Sequence, residues 1–163
     1  MPANQTTYTD ALKKASNAAW DRQWPAAIRE YRRALVEFPD DPQAHAGLAL
    51  ALEESGHLDE ALAEQLLCVK LVPNDPTGLM HAASLFARLG KAAEATDAYL
   101  KLADMHCAEK EMGQAIEAWR QAAGLDAKRV DVRTRLVAAL KEAGQYSAAS
   151  QELTVLARVH QQA

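Results

Sequence analysis

Apolar residues recur along this chain at intervals of three and four, in blocks of roughly 14 residues separated by short polar breaks. That spacing puts the apolar side chains on one stripe of a helix. The blocks themselves recur. Trp24, Ala27, Tyr31, Ala34 and Leu35 lead to Pro39, and the pattern returns at Leu58, Ala61, Gln65, Cys68 and Val69, leading to Pro73. It returns again, at the same interval, at Ala92, Ala95, Tyr99, Leu102 and Ala103. Upstream of each set lies a second pattern: Leu48, Ala49, Leu52 and Gly56, then Ala82, Ala83, Phe86 and Gly90, with Lys14, Ala15, Ala18 and Arg22 as a weaker match in the first unit.

Each unit therefore holds two amphipathic helices and a tight turn between them. Gly56 and Gly90 stand where one helix stops and the chain reverses, a place that favours a residue tolerant of positive φ. Pro39, Pro42, Pro73 and Pro76 punctuate the ends, because proline cannot continue a helix but suits its first turn. In the loops PDDP and PNDP, Asp41 and Asp75 are placed to cap the helix that follows.

Past Ala95 the phase changes. Met112, Ala115, Trp119, Ala122 and Ala123 arrive early, well short of a full period after the preceding set. Tyr146, Ala149, Leu153, Leu156 and Ala157 then follow at the regular interval. The units are thus 8–41, 42–75, 76–109, 96–129 and 130–163, with the third and fourth overlapping over 96–109. One segment, 91–109, has to serve both. No glycine or proline interrupts it between Gly90 and Gly113. The pattern predicts nine helices rather than ten, with one long shared helix near 91–109; the rival is a break near 104–108. The segment 85–90 is echoed by 139–144 (LFARLG against ALKEAG) and 98–106 by 152–160 (AYLKLADMH against ELTVLARVH), at one common offset. This echo supports the shared helix.

Composition narrows the class without changing this picture. Hydrophobic residues make up 49% of the 163-residue chain, mainly alanine and leucine, which suits close helix packing better than a sheet. The formal net charge of −4 supplies no basic field for nucleic acid. Charge is uneven, however: residues 42–75 carry one lysine against six acids. No run of eighteen apolar residues offers a membrane span. The N-terminus lacks a basic-then-apolar leader, which points to a cytoplasmic protein. Cys68 and Cys107 read as small core residues rather than a disulfide.

Catalytic and metal chemistry find little support. His106 and Cys107 are adjacent, so on a helix they point about 100° apart and form no nucleophile–base pair. Among His45, His57, His81, His106 and His160 no pair has the i, i+4 spacing of a helical metal site. His106 and His160 hold equivalent places in the echoed segments, so packing accounts for both. Neither a strained nucleophile turn nor a glycine-rich phosphate loop is present. The expectation is a protein without enzymatic activity, cofactor or metal.

Period, small-residue positions and proline punctuation together resemble the tetratricopeptide repeat (TPR) family, over residues 8–163. The first unit departs from the family pattern by having Arg22 where a turn glycine is usual. The resemblance implies an all-α fold, an α-solenoid of antiparallel helix pairs in a single domain spanning 1–163, with the first helices of each pair lining a concave face. Carrying the family's groove positions onto this chain gives Leu12, Ser16 and Trp20 in the first unit. The second unit gives Gln43, Ala46, Leu50, Glu53 and Glu54, and the third gives Thr77, Met80, His81, Ser84 and Arg88. Leu100, Lys101 and Asp104 follow on the shared helix, then Thr134, Arg135, Ala138 and Lys141. One subfamily clamps a C-terminal carboxylate of heat-shock chaperones with lysines and asparagines. The matching places here hold Leu12, Ser16, Gly47, Thr77 and His81, which lack the charge-assisted donors that use requires.

The expected function is a noncatalytic scaffold or adaptor that holds a protein, peptide or partner helix in its groove, with neither nucleic acid nor membrane as a partner. Two alternatives stand beside it: a chaperone resembling the small TPR chaperones of bacterial secretion systems, and the regulatory N-terminal module of a longer enzyme or signalling protein. The last helix keeps Leu153, Leu156 and Val159 with no following unit to cover them. This favours self-association into a homo-oligomer or a missing downstream domain.

Overall fold

A computed structural model describes residues 4–126 and 129–161. Among the described residues there are nine helices: α1 Gln5–Trp20, α2 Trp24–Glu37, α3 Pro42–Glu54, α4 Leu58–Leu71, α5 Pro76–Arg88, α6 Ala92–Ala108, α7 Met112–Leu125, α8 Val130–Glu142 and α9 Tyr146–Gln161. The chain divides into two compact units, Met1–Leu85 and Phe86–Ala163.

In the first unit α1 packs along α2, α2 on α3 and α3 on α4, with α1 also touching α3. The recurring alanines make this possible. Ala11, Ala27, Ala34, Ala44 and Ala61 are fully buried, and small side chains let the backbones approach. Larger side chains fill the space between: Leu48 and Leu52 of α3 are almost wholly buried. Tyr8, Leu12 and Leu35 pack against the cluster of Ala11, Ala34 and Ala44. Tyr8 also meets the Phe38 ring edge-on, at 4.5 Å between centroids, and donates its hydroxyl to Asp41. Burial and this bond to a carboxylate push the Tyr8 phenol up to about 12.

The loop aspartates do what their positions predict. Asp41 accepts from the Ala44 backbone N–H at 2.6 Å, capping α3, and Asp75 accepts from Thr77 and Gly78 at 3.0 and 3.2 Å, holding the first turn of α5. The turns between paired helices share one conformation. Gly56, Gly90 and Gly144 have φ of 82°, 72° and 73°, and the non-glycine residues Arg22 and Lys110 adopt the same left-handed form at 55° and 63°. The missing glycine at Arg22 therefore leaves its turn intact.

In the second unit α6 packs along α7, α7 on α8 and α8 on α9. α6 is continuous over its 17 residues, about 25 Å at the usual rise per residue. A break near 104–108 does not occur: the turn comes at 109–111, after the last residue of α6. Ala95, Thr96, Tyr99, Leu102, Ala103 and His106 form its buried stripe. Trp119, Leu136 and Leu140 supply much of the remaining core.

Candidate partner-binding groove

The first unit carries a concavity of about 400 Å³. Its floor comes from α2, α3 and α4, through Tyr31, Ala46, Gly47, Leu50 and Cys68, and its walls from Gln43, Glu53, Val72, Asp75, Thr77 and His81. Leu50 is 48% exposed, a large apolar side chain that lines the concavity instead of joining the core. Tyr31 lies over Gly47 so closely that a methyl group there would collide with the ring. Glycine at 47 thus sets the depth of the floor. Gln65 underpins the far wall by donating from Nε2 to the Gly78 carbonyl oxygen at 3.0 Å. Cys68 rests against the Pro42 carbonyl at 3.6 Å, and burial, reinforced by Glu64, pushes its thiol up to about 11.

Of the groove residues read from the sequence, Gln43, Leu50, Glu53 and His81 line this concavity together, with Ala46 and Thr77. The other expected positions fall elsewhere. Leu12 is half-buried against the alanine cluster of the first unit, Ser16 is exposed, and Trp20 is 90% exposed at the end of α1. Glu54 and Met80 are exposed and Ser84 is half-buried, outside the lining. Arg88, Lys101, Asp104, Arg135 and Lys141 belong to the second unit and all are exposed. There Asp104 on α6 and Arg135 on α8 form an ion pair at 3.5 Å, so two of the predicted contacts engage each other.

On α9, Leu153 is 44% exposed and Val159 half-buried, but Leu156 is buried. This corrects the expectation that all three offer one sticky surface. Leu156 stands seven residues after buried Ala149, nearly two full turns, and so shares its inward stripe. The histidine equivalence also needs correction: His106 is buried, as packing requires, whereas His160 is exposed. Of the two cysteines read as core, Cys68 is buried and Cys107 only half-buried.

One arrangement went unseen in the sequence. His106 Nδ1 lies 2.8 Å from Glu111 Oε2, and ligand-type atoms of His106, Glu109 and Glu111 all fall within 4.8 Å of one another. Among the described residues this trio alone has donors close enough to share a cation. Helical spacing could not reveal it, because the turn after α6 brings the three together. No helix among the described residues is long and apolar enough to cross a membrane.

No protein-family model matches the chain. It is 33% identical over 94 residues to the TPR repeat-containing thioredoxin TTL4 of Arabidopsis thaliana, a match covering 57% of this chain and 14% of that relative's own length. The fold is similar to the TPR2B domain of yeast Sti1 in its complex with pHsp70, with a TM-score of 0.64 at 17% identity over 77% of this chain and all of that one. It is equally similar to the type III secretion translocator chaperone SycD of Yersinia enterocolitica, with a TM-score of 0.64 at 16% identity over 77% of this chain and 96% of that one. The repeat period, the order of paired helices and these likenesses agree, and the chain has the fold of tetratricopeptide-repeat proteins.

Proposed function

We propose that this protein is a noncatalytic interaction scaffold whose first unit holds a peptide or partner helix in the groove floored by Tyr31, Ala46 and Leu50. The observation that carries this reading is that Leu50 and Val72, both large, apolar and well exposed, line one concavity together with polar side chains such as Gln43, Glu53 and Thr77. Apolar anchor points interspersed with polar groups are the arrangement from which peptide-binding grooves draw affinity and register. The Sti1 domain, similar in fold, is a complex with pHsp70, which supports a groove ligand of protein nature. A photo-crosslinking residue installed at Leu50 tests the reading. Crosslinks to a partner from position 50 and none from Val36, which is 78% exposed on α2 outside the groove, are the expected result. Equal crosslinking from both positions, or from Val36 alone, would remove the groove from the account.

A second reading, a secretion-type chaperone, draws on the likeness to SycD. In that case the groove ligand is a segment of a client protein held before its export, and the captured partner is a secreted protein rather than a resident one.

A further inference from the structure

We infer that a stripe of α9, formed by Ser150, Leu153, Ala157 and His160, docks an amphipathic helix of another protein, one built like α7. The inference concerns the second unit and does not rest on the groove. It starts from the echo between α6 and α9. The offset that pairs 98–106 with 152–160 sets Thr96 against Ser150, Tyr99 against Leu153, Ala103 against Ala157 and His106 against His160. At spacings of three and four, each set lies on one helical stripe. On α6 all of these residues are buried, and on α9 all of them are exposed. The adjoining positions do not differ in this way: Ala95 and Ala149 are both buried, as are Leu102 and Leu156. The difference between the two helices is thus confined to one face.

On α6 that face meets α7. The two helices pack along each other, and the Tyr99 phenol is pushed up by burial and by Glu117 of α7. His106 Nδ1 lies 2.8 Å from Glu111, the residue that leads into α7. The covering helix brings Ala115 and Ala122, with Ile116 and Trp119 between them, all buried. What covers the stripe on α6 specifies what fits its echo on α9: small residues that let the backbones approach, beside one large aromatic side chain. A second copy of this chain does not offer such a helix, since its own α7 is already packed against α6 and α8. The occupant is therefore a helix of a different protein.

The test uses a fluorescein-labelled synthetic peptide with the sequence of residues 110–126, titrated with the full chain and read by fluorescence anisotropy. Circular dichroism of each variant confirms the helical fold. Saturable binding is expected, weakened at least about tenfold by Leu153→Glu or Ala157→Glu in the chain and by Trp119→Ala in the peptide. Gln151→Glu, which adds the same charge at an exposed position on another face of α9, should leave it unchanged. Binding that survives both Leu153→Glu and Ala157→Glu, or no binding to the wild-type chain, overturns the inference. So does a dimer of the chain alone, seen by light scattering, that Leu153→Glu dissociates, because the stripe then takes a second copy.

Discussion

His45 of α3 and Glu64 of α4 are joined at 2.6 Å, and Arg133 of α8 and Glu152 of α9 make the same joint at 2.6 Å at the equivalent places of their helix pair. In each case the first-helix side chain is buried and also grips a carbonyl oxygen from the preceding segment: Pro39 for His45 at 2.7 Å, Ala123 for Arg133 at 2.8 Å. One side chain thus ties its own partner helix and the end of the element before it. Truncation strands a carboxylate and a carbonyl together, so His45→Ala and Arg133→Ala are each expected to cost roughly 2–4 kcal/mol in urea unfolding. Lys14→Ala, which removes only the exposed pair with Asp10, should leave the urea midpoint nearly unchanged.

The turns give a prediction of opposite sign. Lys110 holds φ 63°, where a side chain is strained, at the kind of turn that Gly56 occupies at φ 82° with open space around it. Lys110→Gly is expected to stabilise the protein by up to about 1 kcal/mol, and Gly56→Ala to destabilise it by about the same amount. Thermal denaturation of the two variants checks both signs.

At the start of α8, Arg129 makes two hydrogen bonds of 2.9 Å to Asp131 and an ion pair of 3.5 Å to Asp97. Hydrogen bonding from Arg129 holds the Asp131 carboxyl down to about 2. A folded-state value below the unfolded one means that its contribution is present above the ordinary carboxylate range, and is lost as the pH falls through about 2. Carboxyl chemical shifts followed against pH should show this depressed midpoint in the wild type. In Arg129→Ala the midpoint should return towards the usual value for aspartate.

The two thiols are expected to differ. Cys68 is buried and its thiol is pushed up to about 11, whereas Cys107, also raised by burial, is half-exposed on α6. An aromatic disulfide reagent at neutral pH should label Cys107 in the native protein and reach Cys68 only on unfolding, since the thiolate is the reacting species. Labelling of Cys68 at a rate equal to that of Cys107 would contradict the groove floor described above.

Much of the architecture was legible because helix pairs repeat the same local problem. Small residues at Ala27, Ala61 and Ala95, prolines after the first two pairs and the uninterrupted run before Gly113 specify where helices start, touch and stop. The continuous α6 followed from the phase of that pattern, the run without glycine or proline up to Gly113 and the echo of 98–106 in 152–160. The groove was legible only in part. A position on the inner face of a helix does not say whether neighbours cover it or whether it reaches a shared concavity. Leu12 is drawn into the alanine cluster, Trp20 lies beyond the lining, and Leu156 turns inward. The cluster of His106, Glu109 and Glu111 was hidden for a related reason: periodicity describes helix faces, and this contact is made by a turn.

The central claim, that the first-unit groove holds the partner, is tested most directly by NMR mapping of a bound peptide on the isotopically labelled full chain. Binding is expected to shift the signals of Tyr31, Ala46, Leu50, Thr77 and His81 together. Gly47→Ala, which drives the Tyr31 ring from its place, should weaken that binding while the helical content is retained. Shifts confined to Trp24, Val36 or Leu66, with the groove signals unmoved, would contradict the account.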